Sequence, residues 1–69
     1  MTERWYVLQS EEYDKPLFYV GNRYPTLLLK YARKFRTRAD AESVRIWVTK
    51  KFFPVKIVQI EIRVVEENE

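Results

Sequence analysis

The chain contains no cysteine and no histidine. Their absence excludes disulfide staples, thiol nucleophiles, imidazole acid–base work, Ser-His-Asp chemistry and zinc sites of the usual kind. Glycine occurs once and proline three times, so a glycine-rich phosphate loop cannot be built. No apolar run approaches the roughly 20 residues that a membrane span needs. Only four apolar or aromatic residues stand between Arg4 and Gln9, which gives no secretory leader. These absences predict a protein of the cytoplasm, unattached to membrane, without metal or cofactor, and not an enzyme. The loop acids Glu11, Glu12 and Asp14 read as solvated rather than as cation ligands.

What remains is apolar packing. The 69 residues are 46% hydrophobic and 16% aromatic, including Trp5 and Trp47. A domain of this size buries only about 60% of its unfolded surface, and large rings burying roughly 150–250 Å² each suit so small a core. One domain over residues 1–65 is expected, with a frayed acidic end at 66–69.

Charge is unevenly spread. Residues 23–56 hold ten basic and two acidic groups, a net of +8, while residues 1–22 carry −2 and residues 57–69 carry −3. Such a segment is either a solvated surface or a binding face for phosphate or for an acidic protein.

Along the chain, Arg4 to Gln9 is rich in aromatic and β-branched residues and reads as a strand. Leu17 to Val20 reads as a second, closed by Gly21-Asn22, and the two suggest an antiparallel hairpin. Between Arg23 and Phe35 the pattern predicts a turn or short helix and then an extended piece at 32–35. Thr37 with Asp40 three residues later makes a capping-box start. Ala41, Val44, Trp47, Val48 and Lys51 then share one helical stripe, which predicts a buried Trp47. Arg38 and Glu42 stand at i,i+4 spacing, and Pro54 ends the helix. Val55 to Val65 alternates as a long strand, Val58, Ile60, Ile62 and Val64 against Gln59, Glu61 and Arg63. Its length predicts a central position.

The fold class expected is therefore α+β, a three-stranded mostly antiparallel sheet with one helix packed on one face, in the order β-β-α-β. One helix covers one face only. The second needs the Leu27–Tyr31 segment, another copy of the chain or a ligand.

The candidate binding residues are cations. Arg33, Lys34, Arg36 and Arg38 fall within six residues, and Arg45, Lys50 and Lys51 extend the set along the helix. Arginine grips phosphate in a bidentate way, and Tyr24, Tyr31 and Phe35 are near enough in sequence to stack on bases. The plain alternative is a core Phe35 amid ordinary surface charge. A sheet face carrying Tyr6, Leu8, Leu17 and Tyr19 is a second candidate contact.

The stretch from Phe35 to Glu42, FRTRADAE, resembles the aromatic-x-Ser/Thr-x-x-acid-Ala turn into a helix found in short bacteriophage and prophage proteins. There an aromatic hairpin precedes the turn and an Ile/Val-rich strand follows, as Tyr19-Val20-Gly21 and Val55–Val58 do here. The order is also similar, in topology, to that of a phage inhibitor of host RNA polymerase. The resemblance implies a small non-catalytic accessory that docks on a host protein or nucleic-acid-handling complex, as inhibitor or adaptor, in the host cytoplasm. It leaves open a nucleic-acid-binding protein using residues 23–56, and a structural homodimer rather than a monomer.

Overall fold

The computed structural model describes residues 1–11, 15–63 and 65. The loop acids Glu12 and Asp14, Val64 and the acidic end at 66–69 lie outside the described residues. Two strands, β1 (Thr2–Ser10) and β2 (Val55–Arg63), pair antiparallel, and one helix, α1 (Arg38–Lys51), packs on them. The register runs from Thr2 opposite Arg63 to Ser10 opposite Val55. The α+β class and the helix-on-sheet packing are as expected. The three-stranded ladder is not.

Leu17–Val20 does not form a strand of the sheet. It touches β1 through an isolated bridge between Gln9 and Phe18. Ser10 N–H donates to Leu17 C=O at 2.7 Å and Tyr19 N–H to Leu8 C=O at 2.9 Å. Farther along the same edge Tyr6 and Phe35 exchange two bonds, at 2.9 and 2.8 Å. Two short pieces thus share the β1 margin that one hairpin strand was expected to fill. β1 is consequently the central element. β2, expected at the centre because of its length, lies at the sheet's edge, because nothing among the described residues pairs with its other side.

Helix α1 begins where expected. Thr37 Oγ1 accepts the Asp40 N–H at 3.1 Å, filling one of the orphan donors of the first turn. Lys50 and Lys51 occupy the last turn, where the helix dipole favours cations. The helix seats Ala41 and Val48 against Leu8, Tyr19, Phe35, Phe53 and Val55, with Tyr6, Val44 and Ile57 closing the margin. Trp47 is not in this core. It is 46% exposed and sets its ring edge-on against Phe52 at 5.0 Å. A helix turns about 100° per residue, so Val48 takes the centre of the stripe and Trp47 falls on its flank.

The second sheet face carries Val7 and Phe18 with Ala32, and Val58 and Ile60 pack against them. The Leu27–Tyr31 segment does not supply this cover. Leu27, Leu28 and Tyr31 are 55%, 51% and 60% exposed. Thr26 is tied to Phe18 by two backbone bonds, and Arg33 N–H donates to Tyr19 C=O at 2.9 Å. With both ends pinned, the excursion closes through a 3-10 turn at Leu29–Tyr31 and carries its leucines on the outside.

The molecule is elongated, 47 by 24 by 18 Å. The helix rests on the Leu8–Val55–Ile57 end of the sheet. At the other end Thr2, Arg4, Gln59, Glu61 and Arg63 remain exposed on the helix side.

Candidate basic interface

The clustered cations stand on the piece of chain that pairs with Tyr6 and then turns into α1. Strand-type alternation divides them. Phe35 points to the helix side and is buried there, and Arg33, two residues earlier, sets its guanidinium 5.2 Å from the Phe35 ring centre. Arg36 points to the opposite side and lies 4.6 Å over the indole of Trp5. That indole is itself oriented by donating to Glu3 Oε2 at 3.0 Å. Arg38, in the first helical turn, lies 5.6 Å over Tyr6. Three arginines therefore rest on three aromatic faces around one margin of the sheet. Each contact is worth roughly 0.5–1 kcal/mol at an exposed site. Among the described residues none of the three has a carboxylate within ion-pair distance.

Between this segment and the start of α1 lies an open groove of about 440 Å³, lined by Arg33, Lys34, Phe35, Arg36, Asp40, Ser43 and Val44. Asp40 is the one acid on its wall.

The remaining cations are engaged or distant. Lys34 turns its ammonium onto the carbonyls of Leu29, Lys30 and Ala32 at 3.3–3.4 Å, closing the 3-10 turn. Arg45 is paired with Glu42, its Nε donating to Oε1 at 3.0 Å. This replaces the expected Arg38–Glu42 pair, since Arg38 has gone to Tyr6. The Arg45 hydrogen bond is the chief cause of a Glu42 carboxyl held below its ordinary value; partial desolvation opposes it, and the charges of Arg45 and Arg38 add to it. The Arg45 guanidinium is raised for the converse reason, its hydrogen bond to Glu42 first. Lys50 and Lys51 sit at the far end of the helix, about 20 Å from its start at 1.5 Å per residue. The seven-cation patch thus resolves into Arg33, Arg36 and Arg38, each on a ring at the β1 margin but not all on one side of the sheet, a structural Lys34, a paired Arg45 and a separate lysine pair.

The sheet-face candidates are not available to a partner as a group. Leu8 and Tyr19 are 0% and 2% exposed under the helix. Tyr6 is half-buried beneath Arg38, and Leu17 is half-buried. Of the aromatics near the cations, Phe35 is core, whereas Tyr24 and Tyr31 are 70% and 60% exposed. Each has a cation over its ring, Arg23 at 5.7 Å and Lys30 at 5.0 Å. Trp5 is the contributor that sequence reasoning missed. Its neighbour Arg36 is 31 residues away in the chain, and only the Tyr6–Phe35 bridge brings them together.

Among the described residues no cluster of three or more acids could hold a metal ion, and no helix is long and apolar enough to cross a membrane. Comparison with family models, curated proteins and solved structures finds no match.

Proposed function

We propose that the protein is a non-catalytic binding domain for single-stranded nucleic acid. Arg33, Arg36 and Arg38 contact phosphates, and Tyr24 and Tyr31 offer faces for bases. The observation that carries the reading is the state of the three arginines: unpaired with any described carboxylate, and each laid on an aromatic ring. A guanidinium stacked this way keeps its donor edge free while losing much of its rotamer freedom, so less ordering is left to the moment of binding. Exposed rings on a basic segment of chain are a usual means of holding an unpaired strand without reading its sequence. Docking on a protein through the sheet face, part of the leading reading of the sequence, loses support because Leu8 and Tyr19 are interior. The phage-type resemblance would make the nucleic acid, or the complex that handles it, the host's.

The test is fluorescence anisotropy with labelled single-stranded and duplex oligonucleotides between 50 and 200 mM salt. Three phosphate contacts on a single strand give a log–log slope of about −2, so affinity should fall roughly 20-fold over that range. The triple charge reversal R33E/R36E/R38E should remain folded, because these side chains are solvent-facing, and should lose binding. Tyr31→Ala should weaken binding without changing the salt slope. Folded wild type that binds no DNA or RNA at low salt refutes the proposal. An acidic protein retained by wild type and not by the triple variant would then reassign the arginines to a protein partner.

A further inference from the structure

Among the described residues nothing pairs with the outer edge of β2, and the hydrogen-bond pattern shows which groups point along it. On β1 the outward bonds come from Tyr6, Leu8 and Ser10, all even-numbered. In an antiparallel ladder successive residues bond to alternate sides, so Glu3, Trp5, Val7 and Gln9 bond toward β2. Their register partners are Ile62, Ile60, Val58 and Lys56. The odd residues of β2, Val55, Ile57, Gln59, Glu61 and Arg63, therefore aim N–H and C=O at the free side. The Val55 N–H confirms the assignment by donating to Thr49 Oγ1 at 3.3 Å. Past Val55 no proline and no bulge interrupts the edge as far as Arg63. Lys56, Glu61 and Arg63 put charge on this strand, one of the ways natural sheets blunt an edge, and among the described residues no element covers it past Val55.

We infer that two copies of this chain pair antiparallel through their β2 edges, about a two-fold axis at Gln59, to make one continuous four-stranded sheet. Three features of β2 favour a second copy over another occupant. Centring on Gln59 gives full overlap of the nine-residue strand, with Val55 opposite Arg63, Ile57 opposite Glu61 and Gln59 opposite Gln59. All of these are odd positions, so the facing pairs can exchange backbone bonds, save that the Val55 N–H is already given to Thr49 Oγ1. On the other face the same register sets Val58 opposite Ile60 and Lys56 opposite Ile62. The half-exposed apolar strip of one copy thus continues into that of the next, and like charges never face each other. Finally, each helix covers one end of its own sheet and leaves the Gln59–Arg63 end bare on that side. The two-fold rotation lays the partner's helix-bearing end beside that bare arm.

This inference goes beyond the nucleic-acid reading, and its test contains no nucleic acid. Sedimentation equilibrium of the whole chain from about 1 µM to about 1 mM, the range of weak to moderate association, should show the mass rising from 8.5 kDa to twice that value. Gln59 is exposed. Gln59→Lys and Gln59→Glu should each weaken self-association about fivefold, since each places like charges opposite one another at the axis. An equimolar mixture of the two should associate at least as strongly as wild type. Gln59→Pro removes an N–H that points away from β1, so the β1–β2 ladder keeps its bonds, and this variant should stay at the single-chain mass. If it fails to fold, the Q59K and Q59E pair decides alone. Folded wild type of single-chain mass across the range overturns the inference and leaves the edge to a strand of some other protein. Association that is indifferent to the charge variants, or a mixture no stronger than its components, also overturns it.

Discussion

Leu8→Ala and Leu28→Ala remove the same atoms from the same residue type, and the structure assigns them very different costs. Leu8 is fully buried among Tyr19, Phe35, Val48 and Val55. Deleting three carbons there forfeits roughly 2.4 kcal/mol at about 0.8 kcal/mol per CH₂. The cavity left in a core of large rings raises this to about 3–4 kcal/mol. A 69-residue domain at about 0.05–0.15 kcal/mol per residue has only some 3.5–10 kcal/mol in total. Leu28 is 51% exposed, so truncation loses about half the transfer term and opens no cavity. Its cost is at most about 1 kcal/mol, and less once residual burial in the unfolded chain is allowed for. At roughly 4–8 °C per kcal/mol for a domain of this size, Leu8→Ala should lower Tm by about 12–32 °C and Leu28→Ala by less than about 8 °C. Urea titrations followed by circular dichroism should show a shifted midpoint with an unchanged slope in both. If Leu28→Ala costs as much as Leu8→Ala, the leucine turn covers the second sheet face after all, and the core described above is wrong.

Thr37→Ala should cost about 1 kcal/mol by orphaning the Asp40 N–H, and Thr37→Ser should restore most of it, as read by thermal melts. A double-mutant cycle on Trp5→Leu and Arg36→Gln should give a coupling of about 0.5–1 kcal/mol; zero coupling would mean that the guanidinium is not held on the indole. Glu42 has a folded value depressed below its ordinary 4.5. Its contribution is therefore present above that value and lost as pH falls through the folded one. Glu42→Gln should flatten the acid limb of a stability-versus-pH curve and leave the neutral limb's shape unchanged.

Local features were legible in the sequence and long-range ones were not. The Thr37–Asp40 cap spans three residues, and the alternation of β2 needs no partner to be seen. Between Arg23 and Phe35 the pattern is compatible with a short helix or an extended segment, and the structure has a 3-10 turn at Leu29–Tyr31 followed by extended chain to the Tyr6–Phe35 bridge. Strand length says nothing about which edges of a sheet are filled, so it cannot decide which strand is central. β1 became central through contacts made by residues 17–19 and 35, which no periodicity marks. Trp47 and Val48 both fit a 3.6-residue stripe, and only the roll of the helix on Leu8 and Val55 chooses between them. The basic cluster was visible as composition. Which cations stay unpaired was not, since Lys34 is drawn to three carbonyls and Arg45 to Glu42.

The groove and the free edge lie on opposite margins of one sheet. Residues 33–36 adjoin the side of β1 that faces away from β2, and the unpaired groups lie on the side of β2 that faces away from β1. Pairing two copies through β2 therefore covers neither set of arginines. It fixes two basic margins about a common axis, with four strands between them at about 4.8 Å spacing. Short oligonucleotides that reach one margin should bind the single-chain Q59P variant as tightly as wild type. Longer strands that reach both should bind the dimer more tightly, because the second contact is made at the high effective concentration of a tethered site. Equal preference for long strands in wild type and Q59P would separate the two properties. The arginines would then act singly whatever the edge does.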